Sequence, residues 1–167
     1  MRMKVYLLLG SNIEPRIEYI NLTLQLIEES VGRIEKASQL YKTAAWGNEN
    51  QEDFLNKAIC VNTELVPQKL LSEIKLIEVK VGRQTRERWG KREIDIDILL
   101  IENLVVKTSQ LEVPHPQLHL RNFALLPLKE IAPNIIHPTL IKTIDELAAS
   151  CADIKAVEIF SPNKKTQ

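Results

Sequence analysis

The chain has 167 residues, and its 22 Lys+Arg are balanced by 22 Asp+Glu. A net charge of zero argues against a protein that grips nucleic acid by bulk electrostatics, since such domains carry a basic excess or a basic face. With 44% hydrophobic residues, 5 Gly and 8 Pro, the chain can bury a real core and is neither disordered nor fibrous, and one domain is the default at this length. Cys60 and Cys151 form no CxxC pair, so neither a disulfide framework nor a zinc site is suggested, which fits thiols in a reducing compartment. The N-terminal apolar run is too short for a signal core or a membrane span. The expectation is a cytoplasmic protein, with neither membrane nor nucleic acid as a partner.

That run, Val5 to Leu9, predicts a strand buried on both faces and closed by the turn Gly10-Ser11-Asn12. After Pro15, the residues Ile20, Leu24, Ile27 and Val31 fall at helical spacing, with Gly32 as the terminating C′ glycine. Two extended stretches, Ile34 to Thr43 and Phe54 to Leu65, flank a loop around Trp46. A second helix follows Pro67, with Leu70, Ile74, Ile77 and Val81 on one stripe and Gly82 as its stop. Ile94 to Ile101 is the clearest strand. Beyond it prolines recur at 114, 116, 127, 133 and 138, then comes a short helix with Thr143 and Glu146 at capping-box spacing, and Ala156 to Phe160 closes as a strand. The predicted class is α+β, a ferredoxin-like βαββαβ antiparallel sheet with helices on one face and a C-terminal extension. Residues 1–160 form a single domain, and 161–167 a polar tail.

The chemistry concentrates in one stretch. The period of two in Ile94 to Ile101 puts Ile94, Ile96, Ile98 and Leu100 on one face and Asp95, Asp97, Leu99 and Ile101 on the other. Two carboxylates about 7 Å apart on a partly apolar strand face repel each other and need cations. Magnesium, held by one or two carboxylates and a nucleotide's phosphates, meets that need. Just upstream, Arg83-Gln84-Thr85-Arg86-Glu87-Arg88-Trp89-Gly90-Lys91-Arg92 delivers four guanidiniums into the same strand. Guanidiniums bind phosphate oxygens in bidentate fashion and stabilise the charge that spreads over them during transfer. Together these features read as a polyphosphate clamp. The chain has neither a P-loop nor a GxGxxG motif.

Arg88 through Leu99 resembles the signature of the 6-hydroxymethyl-7,8-dihydropterin pyrophosphokinases, which move a diphosphate from ATP to a pterin alcohol. Val5-Tyr6-Leu7-Leu8 with Leu9-Gly10-Ser11-Asn12, Tyr41 to Gly47, Phe54-Leu55-Asn56, Glu78 to Arg83, Val113-Pro114-His115 and Arg121-Asn122-Phe123 resemble further family segments in the same order. The resemblance implies ATP as co-substrate and two Mg²⁺ held by Asp95 and Asp97. Arg83 and Arg92 would act in catalysis with the two aspartates. Glu78, Arg83, Arg86, Arg88, Trp89, Arg92, Ile98, His115 and Arg121 would line the nucleotide side. On the pterin side, Thr43 and Asn56 would hydrogen-bond the pyrimidine edge, Phe54 and Phe123 would sandwich the ring, and Ala44 and Trp46 would complete the pocket. A planar heterocycle calls for aromatic faces and a few fixed polar groups. Only small molecules are implied as partners, and a monomer is expected. Ala44-Ala45, Trp46, Lys91, Pro116, Gln110 and Glu112 depart from the usual family pattern.

Taken without the motif, Phe54 and Phe123 are core residues, Thr43 a strand residue, Asn56 an edge or turn residue, and His115 a loop residue between prolines. His119 and His137 carry only a structural reading. Two rival functions share the scaffold. A two-metal nucleotidyltransferase or cyclase would release pyrophosphate and need no pterin. An RNA-recognition domain would show exposed aromatics where this strand has aspartates.

Overall fold

The computed structural model describes residues 1–45 and 50–162. In chain order the elements are β1 (Met3–Ser11), α1 (Arg16–Ser30), β2 (Gly32–Ala37), β3 (Tyr41–Thr43), β4 (Phe54–Thr63), α2 (Pro67–Val81), β5 (Asp95–Ile101), β6 (Val106–Lys107) and β7 (Glu112–Val113). A 3₁₀ turn (Leu118–Leu120), α3 (Asn122–Ile131), α4 (Ile144–Ala149) and β8 (Val157–Ile159) complete the described chain. The main sheet runs β5-β1-β4-β3-β8, with β2 also paired to β4, and every pairing is antiparallel. β6 and β7 form a separate hairpin.

β1 is central because it can be buried from both sides. On one face, Ile20 and Ile27 of α1 and Leu70, Ile74 and Ile77 of α2 pack on Val5, Leu7, Leu9, Ile96 and Ile98. On the other, Ala124, Leu125 and Leu128 of α3 and Ile144 and Leu147 of α4 pack on Tyr6, Leu8, Ala58, Cys60 and Leu100. The expectation of helices on one face thus holds for α1 and α2 alone. The C-terminal extension supplies a second helical layer. Pro127 inside α3 disguises that helix in the sequence, since an interior proline removes one backbone bond.

Other differences have local causes. The extended stretch from Ile34 to Thr43 is split into β2 and β3 at the buried Ser38, which satisfies both main-chain groups of Ala58. The Ser38 N–H donates to the Ala58 carbonyl at 2.8 Å, and its Oγ accepts from the Ala58 N–H at 2.9 Å. Gly32 follows the C-cap Val31 of α1, at the predicted C′ position, but without the left-handed φ of a terminating glycine: it begins β2, where a Cβ would stand 2.2 Å from the Asn62 carbonyl. Gly82 does end α2 as predicted, with φ 116°. The capping box at Thr143 and Glu146 and a strand within 156–160 are present.

The alternation along β5 breaks at a bulge: Tyr6 faces Leu100 while Leu7 faces Ile98, leaving Leu99 unmatched. The extra residue reverses the side chains beyond it. Ile101 therefore joins Ile94, Ile96 and Ile98 in the α1/α2 core, while Leu100 joins Leu99 on the face of the aspartates.

Candidate active site

α3 and α4 pack on their face of the sheet around Tyr6, Ala58 and Cys60. Leu8 lies across from Asp97 on one side and Ala58 on the other, and Gly10 lies between Asp95 and Asn56. The rows toward Tyr6 and Cys60 carry bulky side chains that meet α3. In the row at Gly10 the centre has no side chain, and the floor of a cleft opens. A Cβ at Gly10 would come 2.7 Å from Asn56 Oδ1, so the glycine is required by close approach. The cleft is lined by Thr43, Ala44, Phe54, Asn56 and Phe123 at one end and by Asp95, Asp97, Arg92, Arg121 and Trp89 at the other.

Asn56 is buried and donates from Nδ2 to Thr43 Oγ1 at 2.7 Å, a bond across the β3–β4 pair that orients its amide. Phe54 stands opposite Thr43 in the same pair. Phe123 belongs to the first turn of α3, and the Arg121 guanidinium lies 5.5 Å from its ring centroid. The predicted ring-binding residues Thr43, Ala44, Phe54, Asn56 and Phe123 are thus brought together. Trp46 lies outside the described residues.

At the acidic end, Arg83 Nη1 donates to Asp95 Oδ1 at 2.9 Å and also to Glu78 Oε2, while Arg92 Nη1 stands 3.2 Å from Asp95 Oδ2. Glu78 Oε2 accepts from the Ile96 N–H at 3.1 Å, tying the end of α2 to β5. Burial pushes the Glu78 carboxyl up, against the pull of Arg83. Asp97 is perturbed more. Burial, then the neighbouring Asp95 charge, push its carboxyl up to about 7, outweighing Arg121 and Arg92. The two carboxylates are therefore unequal: Asp95 is paired with arginines, while the surroundings of Asp97 disfavour its charged form.

The His115 N–H donates to the Leu99 carbonyl at the bulge at 2.9 Å, and the residue lines a separate groove with Pro114, Pro116 and His119. Burial, then the Arg121 charge, push its imidazole down to about 4, so it is neutral at pH 7. Its Nδ1 accepts from the Gln117 N–H at 3.1 Å, which leaves the proton on Nε2. His137 is buried, and its Nδ1 accepts from the Thr139 and Leu140 N–H groups, in keeping with a structural residue.

The sequence-predicted residues Arg86, Arg88 and Ile98 are not among the residues that line this cleft. Arg86 turns to the buried Glu93 at 2.7 Å and lines a separate groove with Asn12, Glu52 and Lys91. Arg88 lies 5.2 Å from the Trp89 ring centroid. Trp89 itself has φ 66°, an uncommon backbone for a bulky residue. Ile98 is packed in the α1/α2 core, so its side chain faces away from the cleft and only main-chain groups remain for a ligand.

Sequence reasoning missed Gly10 and Leu8 as cleft floor, and it missed Asn12. Asn12 is 1% exposed. Its Oδ1 accepts from the Arg92 N–H at 2.9 Å, and its Nδ2 donates to Gln51 Oε1 at 3.1 Å and to the Glu52 carbonyl at 3.2 Å. It thereby joins the arginine-bearing loop to the loop after β3. The Gly10-Ser11-Asn12 turn is visible in the sequence as a turn, but its partners lie 39 or more positions away.

Comparison with known proteins fits this geometry. Residues 6–133 match the family model described as 7,8-dihydro-6-hydroxymethylpterin-pyrophosphokinase. The chain is 51% identical over 142 residues to a 2-amino-4-hydroxy-6-hydroxymethyldihydropteridine pyrophosphokinase of Aquifex aeolicus, covering 85% of this chain and 88% of that one. It is 36% identical over 155 residues to the Haemophilus influenzae protein of the same name, covering 92% and 96%. Among solved structures, a Plasmodium falciparum HPPK-DHPS aligns with TM-score 0.75 at 19% identity, covering 89% of this chain. The chain spans 45% of that longer protein, and this likeness bears on the fold alone.

Proposed function

This chain belongs to the 7,8-dihydro-6-hydroxymethylpterin-pyrophosphokinase family and is a pyrophosphokinase of folate synthesis, and we propose that its cleft transfers the diphosphate of ATP to 6-hydroxymethyl-7,8-dihydropterin. The observation that carries this reading is the register row Asp95–Gly10–Asn56. It sets an acidic, arginine-lined end directly beside a slot flanked by Phe54 and Phe123.

In this reading the pterin lies in the slot with its pyrimidine edge on Asn56 and Thr43. Its hydroxymethyl oxygen then points along the floor toward Asp95 and Asp97. That oxygen attacks the β-phosphorus of ATP and gives up its proton to water, the bond between the β-phosphorus and the bridging α-phosphate oxygen breaks, and AMP leaves with that oxygen. The donor set fits magnesium: two hard oxygen ligands share one strand face, and the Asp97 carboxyl is held above its ordinary range by burial and by Asp95. Two Mg²⁺ bound by Asp95 and Asp97 would neutralise phosphate charge in the nucleotide. Arg92, Arg83 and Arg121 lie near enough to the acid pair to meet the oxygens on which charge spreads, and His115 can donate from Nε2. Positioning and charge stabilisation carry the rate, with no covalent intermediate.

Residues 1–160 are read as one catalytic domain whose central βαββαβ order is ferredoxin-like, working as a cytoplasmic monomer. No helix among the described residues is long and apolar enough to cross a membrane. The test is the identity of the products when the protein is given ATP, Mg²⁺ and the pterin. AMP with pterin diphosphate is expected. Pyrophosphate released without any need for pterin would instead establish the nucleotidyltransferase or cyclase reading.

A further inference from the structure

Position 121 begins α3, and a helix start is ordinarily capped by Ser, Thr, Asp or Asn, whose side-chain oxygen accepts an orphan N–H. Arg121 occupies that position and makes no side-chain cap, and the first turn of α3 holds no acidic residue. A guanidinium has donors only. The first orphan donor of the helix, the Asn122 N–H, finds its acceptor 31 positions further on, where Asp153 Oδ2 takes it at 3.0 Å. The Asn122 side-chain amide also donates to the Asp153 carbonyl. The loop is held in this shape by its own turn, since Asp153 Oδ1 accepts the Lys155 N–H at 3.0 Å.

The same segment also grips the opposite wall of the cleft. Lys155 Nζ donates to the Ala45 carbonyl at 3.4 Å, beside the cleft-lining Ala44. Two residues on, β8 pairs with β3, placing Val157 opposite Thr43. Residues 153–159 therefore join the start of α3, which carries Arg121 and Phe123, to the strand that carries Thr43. These residues lie beyond the 6–133 span that the family model matches.

We propose that this C-terminal segment is a strap that fixes the width of the ring slot, and that Asp153 is its positioning residue. By capping α3 from outside the helix, Asp153 allows an arginine to stand where a capping residue would otherwise be needed. It thereby sets Arg121 and Phe123 against Thr43 and Asn56. The inference rests on the pterin-slot reading above and assigns a determinant of ring affinity to residues outside the cleft lining.

The test is calorimetric titration of the full-length protein with the pterin, in the presence of Mg²⁺ and a nonhydrolysable ATP analogue, alongside thermal unfolding. Asp153→Ala is expected to weaken pterin binding about three- to tenfold, the scale of a lost helix cap. Asp153→Asn, which keeps an acceptor oxygen, should recover most of that affinity. Thr143→Ala, which removes a cap from α4 away from the cleft, should lower Tm comparably while leaving pterin affinity unchanged. Should Asp153→Ala prove too unstable to titrate, Lys155→Ala tests the other end of the strap and is expected to weaken the pterin in the same direction. Loss of Tm with unchanged pterin affinity in both strap variants would overturn the proposal. So would equal losses of affinity in Asp153→Ala and Thr143→Ala. A wild-type protein that binds the pterin yet forms no AMP would count against diphosphate transfer, and the affinity comparison among the variants would still decide for or against the strap.

Discussion

Asp97→Asn should stabilise the metal-free protein while abolishing turnover. In the fold the Asp97 carboxyl is pushed up to about 7 by burial and by Asp95, whereas in the unfolded chain it returns to the ordinary aspartate value near 4. Between those values the folded state holds a proton that the unfolded state has released. Stability conferred by this group is therefore fully present at low pH and is lost as pH rises from about 4 through about 7. Three units at ~1.4 kcal/mol each set an upper bound of about 4 kcal/mol. The shift to about 7 already includes the attraction of Arg121 and Arg92, and an amide replaces a protonated carboxyl only imperfectly in a packed site, so the expected gain at pH 8 is about 1–3 kcal/mol. For a chain of this size that corresponds to a Tm rise of about 3–9 °C. The assay is thermal unfolding of both proteins from pH 4 to 9 in chelator. The stability gap should open through pH 4 to 7 and be flat above it. Adding Mg²⁺ and a nonhydrolysable ATP analogue should then stabilise the wild type much more than the variant. A gap that does not change with pH, or a variant less stable than wild type at pH 8, would refute the electrostatic account of the pair.

Three further outcomes follow from the cleft. Arg92→Ala should lower kcat by two or more orders of magnitude (about 3 kcal/mol, the scale of one transition-state donor) with a modest loss of ATP affinity; a loss of ATP affinity with kcat unchanged would show uniform binding instead. Gly10→Ala forces a methyl to within 2.7 Å of Asn56 Oδ1, and calorimetry should show pterin affinity falling about tenfold or more with nucleotide affinity retained. Nitrogen NMR of ligand-free protein should find His115 neutral and protonated on Nε2 down to about pH 5, because burial and Arg121 push its imidazole down to about 4; an imidazolium at pH 6 would contradict this placement.

Much of the cleft was legible in the sequence because its residues cluster locally. Asp95 and Asp97 share a face through strand periodicity alone, and the arginines precede them on the same stretch. The motif order carried the rest of the candidate residues, and Thr43, Phe54, Asn56 and Phe123 do meet in one pocket. Arg86 and Ile98 show the limit. Residue type placed Arg86 with the phosphate-binding cations, yet the buried Glu93 claims its guanidinium. Ile98 lies one position from Asp97, and strand alternation alone turns its side chain into the core.

Local patterns determined the helices α1 and α2, the central strands and the polarity of β5, since each depends on neighbours within a few positions. Tertiary structure alone decided the bulge at Leu99, the second helical layer and the role of Asp153. Each of these depends on a hydrogen bond or packing face supplied by residues distant in sequence: His115 for the Leu99 carbonyl, the sheet face at Tyr6 and Cys60 for α3, and Asn122 for the carboxylate of Asp153. A chain read in order shows which groups need partners. Folding determines which distant groups become those partners.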